Sequence, residues 1–268
     1  MDLHPVAAAA GVGLIACDRV GSTNAEALAL ARAGERGPLW VTARSQTAGR
    51  GRRGRTWVSE AGNLYATLLL TDPSAPERAP ELSFVAALAV HDALAECAGH
   101  LGPALALKWP NDVLCGAAKV AGILIEGEGT PVLAVAVGIG VNLVHHPNGT
   151  DYPATDLASA GAHVRPQGLF GALSSAMLAR LRQWDRGDGF AAIRADWMRR
   201  AAGRGTGIRV RLIEREITGL FETLDEHGRL ILRRADGTTE AVTAGQVFAL
   251  ATADRNSTVS REHLPARR

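Results

Sequence analysis

Apolar positions change their period several times before residue 145, passing from helical spacing to strand-like runs and back without a repeat, as in a domain that mixes helices and strands. Thr23 to Ala33 carries helical spacing, with Thr23 and Glu26 as a capping box and Gly34 as the stop. Leu39 to Arg44 and Leu64 to Thr71 are strand-type runs, the first followed by a Gly- and Arg-rich loop from Ser45 to Thr56. Pro80 to Ala98 predicts a long Ala/Leu helix with proline near its first turn. Ala104 to Trp109, Val120 to Glu126 and Pro131 to Leu143 follow as three β-type runs with short Gly-bearing turns, a hairpin-connected sheet. Residues 145–156 are aperiodic and hold two prolines, a loop long enough to carry function. Helices are expected over Gln167 to Trp184 and Phe190 to Arg200. From Gly203 the texture becomes short alternating runs, Ile208 to Ile213, Ile217 to Leu224, Leu230 to Arg233 and Thr238 to Val242, turned at Glu226-His227-Gly228 and Asp236-Gly237. The division is a first domain over 1–202, a small all-β barrel over 203–252 and a disordered tail over 253–268.

Composition narrows the function classes. At 268 residues and 47% hydrophobic the chain can bury a sizeable core, which excludes whole-chain disorder. A net charge of +2 gives no global case for a polyanionic partner, so any anion is met locally. The 29 cations are 27 Arg and only two Lys, Lys108 and Lys119, eleven positions apart. Three widely spaced cysteines, Cys17, Cys97 and Cys115, indicate neither a disulfide framework nor a zinc site, so the cytoplasm is the expected home. Val6 to Ala16 imitates a signal-peptide core, but no Lys or Arg precedes it. No run reaches the roughly 18–20 apolar residues of a membrane span.

Three segments carry chemistry. Gly49-Arg50-Gly51-Arg52-Arg53-Gly54 satisfies Gly-x-Gly-x-x-Gly, but a dinucleotide fingerprint needs a following helix, and here the chain runs through Trp57 and Asn63 into another strand. Five Arg and no acid between Arg44 and Arg55 leave a small-anion site, a nucleic-acid contact and a solvated basic turn open. Lys108-Trp109-Pro110-Asn111-Asp112, with Lys119 seven residues on, brings a carboxylate and two ammonium groups into one hairpin, Trp-Pro holding the strand end extended. Where a solvated cation suffices this chain uses Arg, so the two Lys suit sites needing a compact point charge, such as an acyl or phosphoryl oxygen. Gly138-Ile139-Gly140-Val141-Asn142 reads equally as a bulged core strand or a ligand contact, and Gly21-Ser22-Thr23-Asn24 as a helix cap or a set of hydrogen bonds for a polar ligand head. Metal-ligand spacing, a Walker A sequence and a Ser/His/Asp arrangement are all missing from the sequence.

Together, in this order and spacing, Gly21-Ser22-Thr23-Asn24, Gln46 through Trp57, Asn63-Leu64-Tyr65, Lys108 through Asp112, Lys119 through Glu126 and Gly138 through Asn142 resemble the biotin protein ligases, over about residues 14–250. The resemblance implies an α+β fold of the class II aminoacyl-tRNA synthetase and biotin ligase type, a mixed or antiparallel sheet flanked by helices, with a C-terminal Src-homology-3-like barrel. It implies an enzyme that couples biotin and Mg-ATP to biotinyl-5′-AMP, then passes biotin to a lysine of a biotin carboxyl carrier domain. It further implies that Ser22, Thr23, Asn24 and Gln46 hold the ureido end, that Gly49, Trp57, Gly122 and Ile123 line the biotin pocket, and that Arg50, Gly51 and Arg52 close over the acyl phosphate. By the same resemblance Lys119 is the cation on the biotin carboxylate and α-phosphate, Lys108 a supporting cation, and Asp112 a metal-linked or acceptor-orienting carboxylate. Arg50, Arg52, Arg55, Lys119 and Asn142 would meet the adenylate, Asn142 and the 145–156 loop at the adenosine. Family members that also repress transcription carry a winged helix-turn-helix for which there is no room before Gly21, so DNA is not an expected partner; a homodimer is compatible. The alternative within the fold is a lipoate or octanoate ligase. A nucleic-acid module is disfavoured because Gly203 to Leu250 has no Trp or Tyr to stack bases.

Overall fold

A computed structural model of the chain describes residues 1–129 and 133–250. After a short helix α1 (Pro5–Ala9), β1 (Gly13–Val20) and β2 (Leu39–Gln46) pair in parallel, because helix α2 (Thr23–Arg32) crosses between them. Every other pairing of this seven-stranded sheet is antiparallel: β3 (Leu64–Thr71), β4 (Leu105–Lys108), β5 (Asp112–Cys115), β6 (Ala118–Gly129) and β7 (Leu133–Val141) complete the order β1-β2-β3-β7-β6-β5-β4.

Alternation along β7 decides what covers each face. Val135, Val137, Ile139 and Val141 enter the main core beneath α3 (Leu82–Cys97), α4 (Pro166–Trp184) and α5 (Phe190–Arg199). Ala134 and Ala136 point the other way, packing with Ala27 and Leu28 of α2 in a smaller cluster. The next two positions on that second face are Gly138 and Gly140, where α2 no longer covers the sheet and a cleft opens. Helix α3 is apolar on nearly all sides because it lies between the sheet and α4, so its many alanines keep the layers close.

A second sheet follows, antiparallel throughout: β8 (Gly207–Arg211), β9 (Glu216–Leu224), β10 (Leu230–Arg233), β11 (Thr239–Val242) and β12 (Gln246–Ala249), ordered β11-β10-β9-β8-β12. The expected turn at Gly228 has φ +75° and its Cα faces the Phe84 and Phe190 rings, while the Trp109 indole N–H donates to the Gly228 carbonyl at 3.0 Å. The small sheet is thereby tied to the strand end that carries Lys108.

Several expectations change. The apolar stretch near the N-terminus is α1 followed by the edge strand β1, whose half-exposed pattern hides the alternation. Ser22, not Thr23, is the N-cap of α2 and makes no side-chain cap bond; Thr23 turns inward to tertiary partners, so the capping box does not form. Pro80 lies in a 3-10 turn, Pro76–Glu81, before α3 starts. Asp112–Cys115 pairs as a strand of its own, the Trp109-Pro110 bond before it is cis, and β12 was not foreseen. The start of the 131–143 run and the 253–268 tail lie outside the described residues. Among the described residues no helix is long and apolar enough to cross a membrane.

Candidate active site

The floor of the cleft is bare backbone. Gly122 and Gly140 face each other in the β6–β7 register, with Gly138 two positions along. A β-carbon at Gly140 would sit 2.6 Å from the Trp57 indole, and one at Gly122 3.0 Å from both Trp57 Cζ3 and Lys119 Nζ. One at Gly138 would overlap the Asn24 amide, and one at Gly49 the Trp57 carbonyl. Pairing on both sides of Gly138 and Gly140 is unbroken, so the strand is not bulged. These positions are glycine because Trp57 and Asn24 lie directly on the sheet.

One wall is a chain of oriented hydrogen bonds. Asn24 Nδ2 donates to Glu126 Oε2 at 2.8 Å and to the Leu124 carbonyl at 3.3 Å, which leaves Asn24 Oδ1 as acceptor for the Thr67 hydroxyl at 2.7 Å. The Thr67 hydroxyl is also shared with Thr23 Oγ1, which accepts at 2.8 Å and donates its own proton to Gln46 Oε1 at 3.1 Å. Gln46 Oε1 accepts from the Thr23 N–H at 2.8 Å, and Gln46 Nε2 donates to Ser59 Oγ at 2.8 Å. Thr23 therefore offers lone pairs to the cleft, an acceptor suited to a ligand N–H.

At the opposite end the β4–β5 hairpin sets Lys108 and Asp112 in register, and β6 adds Lys119. Lys119 Nζ is 2.5 Å from Asp112 Oδ1, Lys108 Nζ is 3.4 Å from Oδ2, and Lys108 Nζ stands 3.7 Å from the Tyr152 ring centroid. Burial by itself would raise the Asp112 carboxyl, but the Lys119 and Lys108 charges hold it below the usual carboxylate range. Burial pushes the Lys108 ammonium below the usual lysine value, with Asp112 opposing.

The Arg loop is a small hairpin: Gly51 N–H donates to the Arg55 carbonyl at 2.7 Å and Trp57 N–H to the Gly49 carbonyl at 2.9 Å. Arg53, at φ 58°, makes its tip. Arg52 donates to Asn111 Oδ1 at 3.1 Å and Arg50 pairs with Glu126 at 3.1 Å. Both guanidiniums thus rest on side-chain acceptors at the mouth, a carboxylate for Arg50 and an amide oxygen for Arg52, and burial, then Arg53, lowers the pKa of Arg52.

Asn63 anchors the far loop. Its Oδ1 accepts from the Leu143, Val144 and His145 N–H groups at 2.8, 3.0 and 3.2 Å. Asn142 Nδ2 donates to the Thr155 carbonyl at 3.0 Å, and the Lys119 backbone bonds to Pro153 and Thr155, so the 145–156 segment folds back beside Lys119 and delivers Tyr152. Asn142 lines the cleft while spending its amide within that loop.

One cavity of about 180 Å³ is lined by Ser22, Thr23, Asn24, Gln46, Arg50, Gly51, Arg52, Arg55, Trp57, Lys108, Asp112, Lys119, Gly122, Ile123 and Asn142. Gly49 alone of the expected residues sits behind it. Sequence reasoning missed Thr67, which shares a face with Tyr65 on β3, and Tyr152. It also missed Gly245-Gln246-Val247, by which the second sheet reaches the same cavity. No group of three or more His, Cys, Asp and Glu that could hold a metal occurs among the described residues. With both Asp112 oxygens facing ammonium groups, the cleft does not fit a protein-held metal, and Asp112 is not a metal ligand in this arrangement.

Residues 17–142 match the biotin/lipoate A/B protein ligase family and residues 205–250 the biotin protein ligase C terminal domain. A biotin–[acetyl-CoA-carboxylase] ligase of Paracoccus denitrificans is 47% identical over 238 residues, 86% of this chain and 98% of that protein. The chain belongs to the biotin/lipoate A/B protein ligase family. A second such ligase, of Mycobacterium tuberculosis, is 34% identical over 87% of each chain. The solved biotin protein ligase of Aquifex aeolicus in complex with biotin and ATP superposes with a TM-score of 0.73 at 27% identity, over 88% of this chain and 97% of that one. Within the family, these relatives are biotin ligases, and the lipoate alternative is not favoured.

Proposed function

We propose that the chain is an ATP-dependent biotin protein ligase, joining biotin and ATP to biotinyl-5′-AMP with release of pyrophosphate and then passing the biotinyl group to one lysine ε-amine of a biotin carboxyl carrier domain. The observation that carries this reading is the polarity of a single cleft, with an oriented neutral hydrogen-bonding wall at one end, an indole on a glycine floor in the middle, and two ammonium groups beside the Arg50 and Arg52 guanidiniums at the other. The ureido N–H of biotin meets the Thr23 acceptor, the ring system lies along Trp57, and the valeryl carboxylate reaches Lys119.

Activation is the difficult step, because a carboxylate is a poor acyl donor. Lys119, reached by the carboxylate and the α-phosphate together, draws the two anions into attack distance and stabilises charge on the phosphoryl oxygens as pyrophosphate leaves. Lys108, more deeply buried, supports that field. Arg50 and Arg52 exchange Glu126 and Asn111 for the acyl phosphate, and Arg55 adds to the phosphate field, which shuts water away from the mixed anhydride. Asn142 and the 145–156 loop form the adenosine side. Mg2+ would come with the substrate ATP and supply charge neutralisation on its phosphates, with no residue of this cleft assigned to hold it. Residues 1–202 form the catalytic domain in this reading, and 203–252 close one side of the cleft through Gln246.

The test is biotin-dependent ATP–pyrophosphate exchange, followed by transfer to a carrier domain. Exchange that responds to biotin and not to octanoate is the expected result; exchange with octanoate alone refutes the reading.

A further inference from the structure

An enzyme that holds an acyl adenylate against two of its own lysines faces a hazard. A neutral ε-amine attacks the acyl carbon, the C–O bond to phosphate breaks, AMP leaves with the electron pair, the surplus proton passes to solvent, and a stable amide remains on the enzyme. The two Lys of this chain, in a sequence that otherwise uses Arg 27 times, both line the cavity where that anhydride would form. Lys108 is the more exposed to this chemistry, since its side chain is only 6% solvent-accessible and burial favours its neutral, nucleophilic form. Lys119 gains the substrate phosphate as counterion; Lys108 faces Tyr152 and the cations Lys119 and Arg55, and among the described residues Asp112 is the one carboxylate paired with it.

Resting on the ligase reading, we propose that Asp112 is a protective positioning residue: by pairing with Lys108 while it also holds Lys119, it keeps the buried Lys108 as an ammonium, so that the enzyme does not biotinylate its own active site. The carrier lysine arrives from outside and loses its proton to solvent before it attacks the acyl carbon; the buried resident Lys108 must keep its own.

The experiment compares intact mass and peptide maps of wild type and Asp112→Asn during incubation with biotin and ATP at neutral pH, with chemically made biotinyl-5′-AMP supplied in a parallel arm in case the variant is slow to make it. Loss of the Asp112 charge frees a larger share of the Lys108 amine, so the variant is expected to gain a biotinyl amide on Lys108 several-fold faster than wild type, and to lose activity as it does. The gain disappears in Asp112→Asn with Lys108→Arg. Should Asp112→Asn not fold, wild type loaded with adenylate and taken to alkaline pH must acylate Lys108 ahead of the Met1 amine. Loaded protein that carries no acyl-Lys108 in these arms overturns the inference, whereas wild type that makes no adenylate from biotin overturns the ligase reading instead.

Discussion

Substituting Gly140 by alanine asks whether the glycine floor exists to seat Trp57. A β-carbon there would stand 2.6 Å from Cε2 and Nε1 of the indole and 2.8 Å from Cζ2, well inside contact, and three ring atoms cannot all yield by a rotamer adjustment. Overpacking of this kind costs about 1–3 kcal/mol. The strand is paired on both sides, to Tyr65 and to Gly122, so the backbone is the stiffer partner and the indole is what moves. If that cost falls on the biotin-bound arrangement, affinity drops by roughly 5- to 150-fold at 1.4 kcal/mol per factor of ten. Gly122→Ala meets the same ring at 3.0 Å, and one of its other near neighbours is the flexible end of Lys119, so its effect is smaller. Isothermal titration with biotin, alongside thermal melts, reads both. Gly140→Ala binding biotin as tightly as wild type, or more tightly than Gly122→Ala, refutes the argument, and recovery of affinity by adding Trp57→Phe supports it.

Lys119→Arg is expected to lower pyrophosphate exchange far more than Lys108→Arg, whose main effect is a lower melting temperature because a longer planar head must enter a buried site; similar, near-wild-type exchange in both would remove the role given to Lys119. Arg52→Gly loses its anchor on Asn111 and should release free biotinyl-5′-AMP that labels bystander lysines, measured by chromatography and blotting, while retention equal to the parent would contradict loop closure. In the helical layer, burial alone would raise Asp196, but hydrogen bonds from Gln183 and Arg180 hold its carboxyl below the ordinary aspartate value. A depressed acid stabilises the fold above its unfolded titration and loses that contribution as pH falls through the folded one, so acid unfolding followed by circular dichroism should be shallower in Asp196→Asn.

What could be read from the sequence was whatever local chemistry demands. Five Arg without an acid pointed to a local anion, and two Lys among 27 Arg to sites that suit a compact charge better than a planar one. The long helices and most strands announced themselves by period, while β1, β5 and β12 did not. Thr23 was misjudged because its spacing to Glu26 satisfies a local rule, yet Thr67 and Gln46, reached only through the sheet, are its partners. Thr67 itself looked like one more residue in an apolar strand. Only the identity of the face it shares with Gly138 and Asn24 makes it functional, and that identity is a matter of register across β3 and β7.

Tyr152 and Gln246 were hidden for a different reason. Tyr152 lies in an aperiodic loop and Gln246 opens a four-residue strand too short to announce itself; each arrives through anchoring elsewhere, Tyr152 because Asn63 and Asn142 pin the two ends of its loop, and Gln246 because Trp109 binds the Gly228 turn of the second sheet. The consequence is a dependence running opposite to the chain's order. Trp109 and Pro110 stand between Lys108 and Asp112, so the contact that docks the small sheet also fixes the hairpin carrying the charged triad. A domain whose composition shows no binding surface of its own is thus coupled to the chemistry through the residue next to Lys108, and loosening Trp109 from Gly228 should disturb the Lys108–Asp112 pair before it disturbs the biotin wall.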